Sequence, residues 1–360
     1  NIEVLEIILD GVLGSHRIFA SLLSDFYVPL ISFFEILASG VIFSCVLFLL
    51  RRNVIQVARF QKPEMKGWAS LDGNLILVIE IILMGALLSM NATDQLLQEM
   101  GNAAYPLTGS FLVSSWLIPI FDGYLPSTLV IIERTAWWFH IVGIFGFALY
   151  VTYSKHLHIF MAFPNTYFSK LTPKGAMEPM PEITSEVKMM LGIPVEGETT
   201  PPPEGFKFGA RDVSDLSRKN LMDAYTCTEC GRCTAECPAN LTGKKLSPRK
   251  IMMDTRDRME EIGKSRSDAK IHDEKFLLGG FISKEEINAC TSCNACVEAC
   301  PVLINPLDII LQLRRYEAME ASGSPASWNA MFQNVETNAA PWKFSPQDRF
   351  NWSEELKNDK

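Results

Sequence analysis

The feature that most constrains this chain is a run of four cysteines that occurs twice, as CTECGRCTAECP and as CTSCNACVEACP. Both runs have the spacing C-x2-C-x2-C-x3-C-P, and their cysteines are Cys227, Cys230, Cys233, Cys237, Cys290, Cys293, Cys296 and Cys300. Three thiolates from one such loop bind three corners of a [4Fe–4S] cluster, and the fourth cysteine binds the neighbouring cluster. The pattern therefore predicts two [4Fe–4S] clusters, and two complete runs with trailing prolines disfavour the alternative of zinc.

The spacing also predicts which cysteines share a cluster, because the fourth cysteine of each run crosses over. The expected ligands of the first cluster are Cys227, Cys230, Cys233 and Cys300. The expected ligands of the second cluster are Cys237, Cys290, Cys293 and Cys296. The long segment between the runs reads as helical around SPRKIMMDTRDRMEEIG, which predicts a helical ferredoxin domain rather than the β-hairpin kind.

The first 160 residues have a different character, with long apolar runs and few charges. Three runs, at 24–50, 69–91 and 126–154, are long enough to cross about 30 Å of hydrocarbon. Residues 1–12 read as the end of a fourth helix that is truncated, since the chain starts without Met inside an apolar segment. Residues 104–121 are apolar but broken by proline and glycine, and they predict a re-entrant or surface-lying segment.

The charges of the loops predict the orientation in the membrane. From Gly67 to Glu133 the sequence has no Lys or Arg, whereas the preceding loop, 51–66, has five against a single Glu64. Because positive loops stay on the cytoplasmic side, loop 51–66 and the cysteine domain are expected in the cytoplasm. The formal net charge of −8 and the absence of a basic stripe give no support for nucleic-acid binding.

Three of the five histidines lie in WWFHIVGIFGFALYVTYSKHLHIF. On one continuous helix, His140 and His158 would share a face, and His156 would point to the opposite side. A pair of imidazoles at two depths is what one or two b-type haems need, so His140 and His158 are the candidate axial ligands. The alternative is that these histidines are interfacial or bonded to neighbouring helices. No opposite ligand is evident, which either counts against haem or indicates that the ligand lies before residue 1.

Other ionisable groups in the apolar half are Glu35, Glu80, Glu133 and Arg134. Such groups in a membrane usually serve function, so they are candidates for binding a quinone head group or relaying protons. The alternative is that they pair with each other or with backbone groups and fix the helices together.

These observations predict four regions and an all-α fold. Residues 1–160 form a transmembrane haem b bundle of the four-helix type with its first helix truncated, and 161–210 form a proline-rich cytoplasmic linker. Residues 211–320 form a helical dicluster ferredoxin domain, and 321–360 form a C-terminal tail. The tail has Trp342, Phe344, Phe350 and Trp352, which suggest a docking strip for a partner. The alternative is that the tail folds back on the ferredoxin domain.

Both halves resemble known families. AWWFHIV and YSKHLHIF are similar to the cytochrome b-type subunit of respiratory nitrate reductase and its relatives in membrane-bound heterodisulfide reductase. YTCTECGRCTAECPANLTGKKLSPRKIMMDTRDR resembles the helical ferredoxin of heterodisulfide reductase-type proteins. The resemblance implies a multi-pass protein of a bacterial or archaeal cytoplasmic membrane, with His140 and His158 as haem ligands. It also implies a cytoplasmic iron–sulfur partner with Cys-Cys-Gly motifs.

The sequence therefore predicts a membrane electron-transfer subunit of a quinone-linked oxidoreductase. Electrons would pass between quinone, as a diffusible substrate, haem b, the two clusters and the partner. The alternatives are a haem-free, membrane-anchored iron–sulfur redox sensor and a scaffold that tethers a soluble dehydrogenase.

Overall fold

A computed structural model describes residues 2–173, 175–194, 206–267 and 275–358. The chain divides into two compact units: Asn1–Pro164 with Tyr225–Gly231, and Asn165–Ala224 with Arg232–Lys360. They are called here the membrane unit and the iron–sulfur unit.

The α-helices are α1 (Ile2–Leu13), α2 (Ile18–Leu23), α3 (Tyr27–Asn53), α4 (Trp68–Glu99), α5 (Ile118–Phe121), α6 (Pro126–Val151), α7 (His158–Tyr167), α8 (Pro181–Met190), α9 (Arg218–Thr226), α10 (Arg232–Ala235), α11 (Pro238–Leu241), α12 (Pro248–Ser267), α13 (Lys284–Asn288), α14 (Ala295–Glu298), α15 (Pro306–Met319), α16 (Ala326–Asn338) and α17 (Asn351–Asn358). Single 3₁₀ or π turns lie at Ser24–Phe26, Ala58–Phe60, Pro63–Met65, Ser114–Trp116, Lys155–Leu157, Val213–Asp215, Leu277–Phe281 and Pro346–Phe350. Among the described residues, extended pairing is limited to one bridge between Leu278 and Ile282, so the predicted all-α class is confirmed.

Three helical segments of the membrane unit are long and apolar enough to cross a membrane: Ile18–Asn53, Trp68–Glu99 and Pro126–Val151. The three predicted spans fall within or close to them. α4 packs against both α3 and α6 and therefore forms the centre of the unit. The core where these helices meet α1 consists of Ile7, Ala38, Leu87, Met90, Ala136 and Ile141.

The broken apolar segment after α4 folds into the membrane unit. Phe111 is 1% exposed and packs with Tyr27 and Ile31 of α3. Tyr105 packs with Leu97 of α4, which is fully buried. The segment therefore closes one end of the bundle. It forms short helical turns, because its prolines prevent a long helix.

The core of the iron–sulfur unit is formed chiefly by α12 and α15, which pack together. α12 is the helix predicted between the cysteine runs. The side chains of Ile251, Met252, Ile309, Ile310 and Leu313 are fully buried there. The predicted linker contains α8, and its TPPP stretch lies outside the described residues.

Gly209 is a point of close approach in the iron–sulfur unit. Its φ is +77°, a conformation that L side chains rarely adopt, and a Cβ there would lie 2.5 Å from the backbone nitrogen of Tyr316. The neighbouring Ala210 nitrogen donates to the carbonyl of Gln312 at 3.0 Å, which explains why the backbone comes so near α15.

Gly209→Ala is therefore expected to destabilise the unit strongly, because both backbone strain and a backbone clash oppose it. The matched control is Gly243→Ala, where φ is +83° but a Cβ meets nothing within 4 Å. We expect about 1–2 kcal/mol for the control from strain alone and about 1–3 kcal/mol more for Gly209→Ala. Thermal unfolding of both variants measures the difference, and equal losses would contradict the close approach.

The tail, α16 to α17, keeps its predicted aromatic residues at the surface. Trp342, Phe344, Phe350 and Trp352 are 56–70% exposed. Their use in docking stays a prediction.

Candidate metal centres

The two cysteine runs repeat the same backbone conformation. Glu229 and Gly231 of the first run have positive φ values of 59° and 74°. Ser292 and Asn294 occupy the equivalent positions of the second run and have φ values of 53° and 62°. Left-handed residues alternating with right-handed ones curl a short loop into a concave shape, and iron–sulfur sites use such loops. The sequence repeat is thus also a repeat of local structure.

The structure brings the expected ligands of the second cluster together inside the iron–sulfur unit. α10, which precedes Cys237, packs against α14, which carries Cys296. Burial raises the pKa of the Cys296 thiol to about 12. After burial, the next contributions that raise this pKa are the charges of three other thiols, those of Cys290, Cys237 and Cys293. The charge of one cysteine of the first run therefore acts on a buried thiol of the second run.

These four thiols fit cluster iron by their chemistry. Thiols that are buried and that oppose one another's ionisation need cations among them to become thiolates, and iron supplies that charge. In the described ranges, no three histidine, cysteine or carboxylate side chains are grouped to hold one metal ion. Cys293 is exposed, whereas Cys296 packs into the core with Val297 and Leu307. The ligand assignment stays a prediction.

Arg314 of α15 supports the second run and was not identified from the sequence. Its Nε donates to the carbonyl of Ile287 at 2.8 Å, and Nη2 donates to the carbonyls of Asn288, at 3.1 Å, and Cys290. The same guanidinium lowers the pKa of the Cys290 thiol, although burial, the larger cause, raises it overall. One arginine thus fixes the backbone that leads into the run. An amphipathic helix pattern alone does not show which of its cations does this.

The first run is divided by the boundary between the units, and its beginning belongs to the membrane unit. There Lys155 Nζ forms an ion pair with Glu229 Oε2 at 2.8 Å, and both side chains are nearly fully buried. Lys155 Nζ also donates to the carbonyl of Ala69. Within the membrane unit, the loop that carries Cys227 and Cys230 is thereby attached to the start of α4.

His140 is 2% exposed on α6, and its Nδ1 lies 2.9 Å from the carbonyl oxygen of Leu83 on α4. A carbonyl oxygen only accepts, so Nδ1 carries the proton and Nε2 keeps a free lone pair. Histidines that bind metals are usually held in this way through the other ring nitrogen. The imidazole is therefore oriented and in the tautomer that a metal ligand needs.

His158 shows the same arrangement, with Nδ1 3.0 Å from the carbonyl oxygen of Lys155. The helix on which His158 lies is nevertheless not the one predicted from the sequence. α6 ends at Val151, Ser154 is extended with φ −107° and ψ 158°, and His158 begins α7. The prediction that His140 and His158 share a face of one continuous helix is wrong, because the helix is broken between them.

The break also changes the position of His156. Its ring centroid is 5.5 Å from that of His158, with the rings edge to face. The prediction that His156 points to the opposite side is therefore wrong, since the helical rotation that separates them does not apply in a 3₁₀ turn. Desolvation lowers the pKa of both histidines, and the charge of His158 lowers the pKa of His156 further.

A buried polar network lies at the end of the membrane unit opposite loop 54–67. Asp94 is fully buried and accepts from Arg17 Nε at 2.9 Å and contacts His16 Nε2 at 3.0 Å. Arg17 Nη2 donates to Asn91 Oδ1 at 2.7 Å, and Asn91 Nδ2 donates to Glu35 Oε1 at 3.0 Å. The network joins α3 and α4 to the turn after α1. The sequence pattern carried no signal for it, because its members are far apart in the chain.

The four candidate quinone or proton residues occupy different environments. Glu35 is fully buried and also accepts from the backbone nitrogens of Val113, at 2.8 Å, and Ser114, at 3.1 Å. Glu35 thus bonds backbone groups of the segment that closes the bundle.

Glu133 forms an ion pair with Arg134 at 2.9 Å and accepts from Tyr105 Oη at 2.9 Å. Glu80, half-buried near Cys45, shows no hydrogen bond or ion pair with the part of the chain that the structure describes. Of the four, Glu80 alone combines a mid-helix position with oxygens that no described residue occupies.

Comparison with known proteins identifies the cysteine region. Residues 226–304 match the 4Fe-4S dicluster domain, so the prediction of two [4Fe–4S] clusters is supported and this region is a dicluster domain. No solved structure matches the chain.

Curated relatives extend the likeness to the membrane unit. The chain is 27% identical, over 92% of its length, to a probable iron–sulfur-binding oxidoreductase, FadF, of Bacillus subtilis. It is 29% identical, over 83% of its length, to an EtfAB:quinone oxidoreductase of Syntrophomonas wolfei. The matches cover 46% and 43% of these two proteins, so the chain spans about half their length.

A third relative is one of the subunits of the dihydromethanophenazine:CoB–CoM heterodisulfide reductase of Methanosarcina mazei. It is 26% identical over 39% of this chain and 35% of its own length. The predicted resemblance to heterodisulfide reductase-type iron–sulfur subunits is therefore confirmed. Together with the dicluster domain, these relatives support an iron–sulfur electron-transfer role for the chain and its association with a membrane.

Proposed function

We propose that this chain conducts electrons between quinone in the membrane and an iron–sulfur partner in the cytoplasm, through b-type haem and two [4Fe–4S] clusters. The observation that carries the proposal is the shared state of His140 and His158. Each imidazole donates Nδ1–H to a backbone carbonyl and keeps Nε2 for a metal. His156, between them, shows no such ring hydrogen bond among the described residues.

When bound, haem and clusters supply one-electron chemistry, which protein side chains do not provide. The chain's own residues hold these groups and set their surroundings. The carbonyls of Leu83 and Lys155 fix the two imidazole rings, and Arg314 fixes the loop of the second run. Burial of Cys296 and exposure of Cys293 leave one side of the second cluster open to a partner.

Quinone chemistry also moves protons, and the chain offers different groups for that task. Glu80 has the carboxylate best suited to accept and release a proton. A proton relay requires a carboxylate whose oxygen lone pairs are not already hydrogen-bonded to other donors. The Glu133–Arg134 pair with Tyr105 suits a quinone head group, since it combines donors and acceptors at one end of the bundle. Glu35 serves mainly to hold the backbone at Val113 and Ser114.

The partner is a cytoplasmic iron–sulfur protein or domain of the Cys-Cys-Gly type. This part of the proposal rests on the heterodisulfide reductase relatives and on the positive loop 51–66, which predicts a cytoplasmic location for the clusters.

The test is the optical spectrum of the full chain, purified from membranes, with single histidine replacements. His140→Ala and His158→Ala are each expected to abolish or strongly reduce the reduced b-type band, because an axial ligand is lost. The matched control is His156→Ala, two residues from His158, which should keep the full band.

Intact iron content and helical circular dichroism must accompany each loss, so that misfolding is recognised. A wild-type protein with both clusters and no haem band would overturn the haem proposal. It would favour the haem-free redox sensor or tether instead.

A further inference from the structure

The turn between α1 and α2 carries His16 and is held in one shape. Asp10 Oδ1 accepts from Ser15 Oγ at 2.7 Å, and Asp10 Oδ2 accepts from the backbone nitrogen of Arg17 at 2.8 Å. Arg17 has a left-handed φ of 55°, which a residue other than glycine keeps only where its surroundings fix it. Its side chain is buried and forms an ion pair with Asp94. The turn therefore sets the direction of the His16 side chain.

The imidazole of His16 lies between a carboxylate and a guanidinium. Its Nε2 is 3.0 Å from Asp94 Oδ1, and its Nδ1 is 3.4 Å from Arg134 Nη2. Because a carboxylate accepts and a guanidinium only donates, Nε2 carries the proton and Nδ1 keeps its lone pair. The contact between Nδ1 and Arg134 is longer than a normal hydrogen bond, so a better-placed donor can replace it.

Asp94 is placed to stabilise His16 when Nδ1 accepts a proton. The Asp94 carboxylate is fully buried, and its other oxygen lies 2.8 Å from Arg17 Nη2, which fixes its orientation. A buried carboxylate bonded to one ring nitrogen of a histidine fixes the tautomer and stabilises the imidazolium that forms at the other nitrogen. The pair of Asp94 and His16 thus has the geometry of an oriented general base.

His16 borders the side chains proposed above to bind a quinone head group. Its ring centroid is 4.8 Å from that of Tyr105, and the two rings meet edge to face. Tyr105 and Arg134 are both bonded to Glu133. The side chains of His16 and Arg134 are 16% and 42% exposed, so a ligand reaches both from outside the unit.

Two other groups are less suited to take the first proton at this end of the bundle. Glu133 is 1% exposed, and its Oε2 is already bonded to Arg134 and to Tyr105. Glu80 is on the same helix as Asp94 but 14 residues away, which is about 21 Å along the axis. A base must lie within hydrogen-bond reach of the proton that it accepts, so Glu80 belongs to a different stage of proton transfer.

We propose that His16 exchanges protons directly with quinone. The inference rests on the proposed function, because it requires quinone to bind beside Arg134. Oxidation of a quinol breaks two O–H bonds and releases two electrons and two protons, one of each in each step. In each step the electron passes to the haem and clusters of the conduit, and the proton bonds to Nδ1 of His16. His16 releases that proton to water before the next step, and reduction of quinone reverses the same transfers.

The experiment is rapid-mixing reduction of the full, membrane-purified chain by a short-chain quinol analogue, followed by cluster and haem absorbance. His16→Ala is expected to lower the rate at saturating quinol about 100- to 10,000-fold, which is the usual contribution of a general base. The quinol concentration for half-saturation should change little, because Arg134, Glu133 and Tyr105 remain. Added imidazole should restore part of the rate, since it can occupy the vacated space and accept the proton.

Two further variants sharpen the experiment. His16→Gln keeps an amide donor for Asp94 but has no group that accepts a proton at neutral pH, so it should be as slow as His16→Ala. The matched control is His156→Ala, the same change in a histidine outside this site, which should keep the wild-type rate with and without imidazole. Iron content and circular dichroism identify folded variants, and His16→Gln decides the result if His16→Ala does not fold.

Three results would overturn the inference while leaving the proposed function intact. One is a wild-type rate in a folded His16 variant. Another is a slow His16→Ala variant that imidazole does not accelerate, which would assign a structural role to the ring. The third is a slow His16→Gln variant whose loss disappears at high quinol concentration, which would assign His16 to binding. Failure of quinol to reduce the wild-type chain would instead refute the proposed function.

Discussion

Cys296→Ala is expected to halve the iron content of the purified chain and to abolish the spectroscopic signal of one cluster. The reason is that Cys296 is buried, so no exposed side chain or water replaces its thiolate easily. Iron analysis and electron paramagnetic resonance of the reduced protein measure the two effects. The matched control is Cys45→Ala, the ninth cysteine, which is buried in α3 and belongs to neither run, and it should keep all the iron.

The same experiment tests the crossover of ligands. Cys237 belongs to the first run by sequence, yet its thiol interacts with Cys290 and Cys296 of the second run. Cys237→Ala should therefore remove the same signal as Cys296→Ala, whereas Cys233→Ala should remove the other one. If Cys237→Ala and Cys233→Ala lost the same signal, each run would bind its own cluster and the assignment would be wrong.

Asp94→Asn is expected to destabilise the membrane unit by about 3–5 kcal/mol, which is the usual cost of leaving one partner of a buried ion pair alone. Asp94 is fully buried, Arg17 is 6% exposed, and Arg17 Nη2 lies 2.8 Å from Asp94 Oδ2. The amide keeps the shape of the side chain but removes the charge that compensates the guanidinium. Unfolding in mixed micelles, followed by circular dichroism, measures the loss.

The matched control is Asp122→Asn, the same chemical change on an exposed carboxylate that accepts from the Gly123 nitrogen at 2.9 Å. It should change the stability by less than about 0.5 kcal/mol. The double variant Arg17→Met with Asp94→Asn should recover part of the loss, because both charges of the ion pair are then removed. Equal stability of the two single asparagine variants would show that the ion pair contributes little.

Spacing and composition were sufficient for much of the fold. The dicluster domain followed from eight cysteines, because cluster geometry requires three ligands from one short loop. The three helices that are long and apolar enough to cross a membrane followed from apolar length, because hydrocarbon thickness sets that length. α12 followed from the stretch SPRKIMMDTRDRMEEIG, whose helical character is a local signal. In each case the controlling interaction lies within a few residues along the chain or in the solvent.

The histidines show where such reasoning fails. A shared face of His140 and His158 follows only for one continuous helix, and the chain interrupts that helix after Val151. The interruption is stabilised by Asp72 of α4, whose carboxylate accepts from the Lys155 backbone nitrogen at 3.2 Å. A contact between residues so far apart in sequence leaves no periodic signal. The sequence therefore contains no indication that the helix ends before His156 and His158.

The sequence alone determined that this chain has a 4Fe-4S dicluster domain, three helices long and apolar enough to cross a membrane, and an all-helical fold, because these depend on ligand spacing and on apolar length. The tertiary structure alone decided how the polar groups are used. It placed Glu35 on the backbone at Val113, joined Arg17 to Asp94, and fixed Nδ1 of His140 on the Leu83 carbonyl. The physical reason is that a buried polar group must find a partner wherever the packed helices present one, and that partner is set by three-dimensional contact rather than by position in the chain.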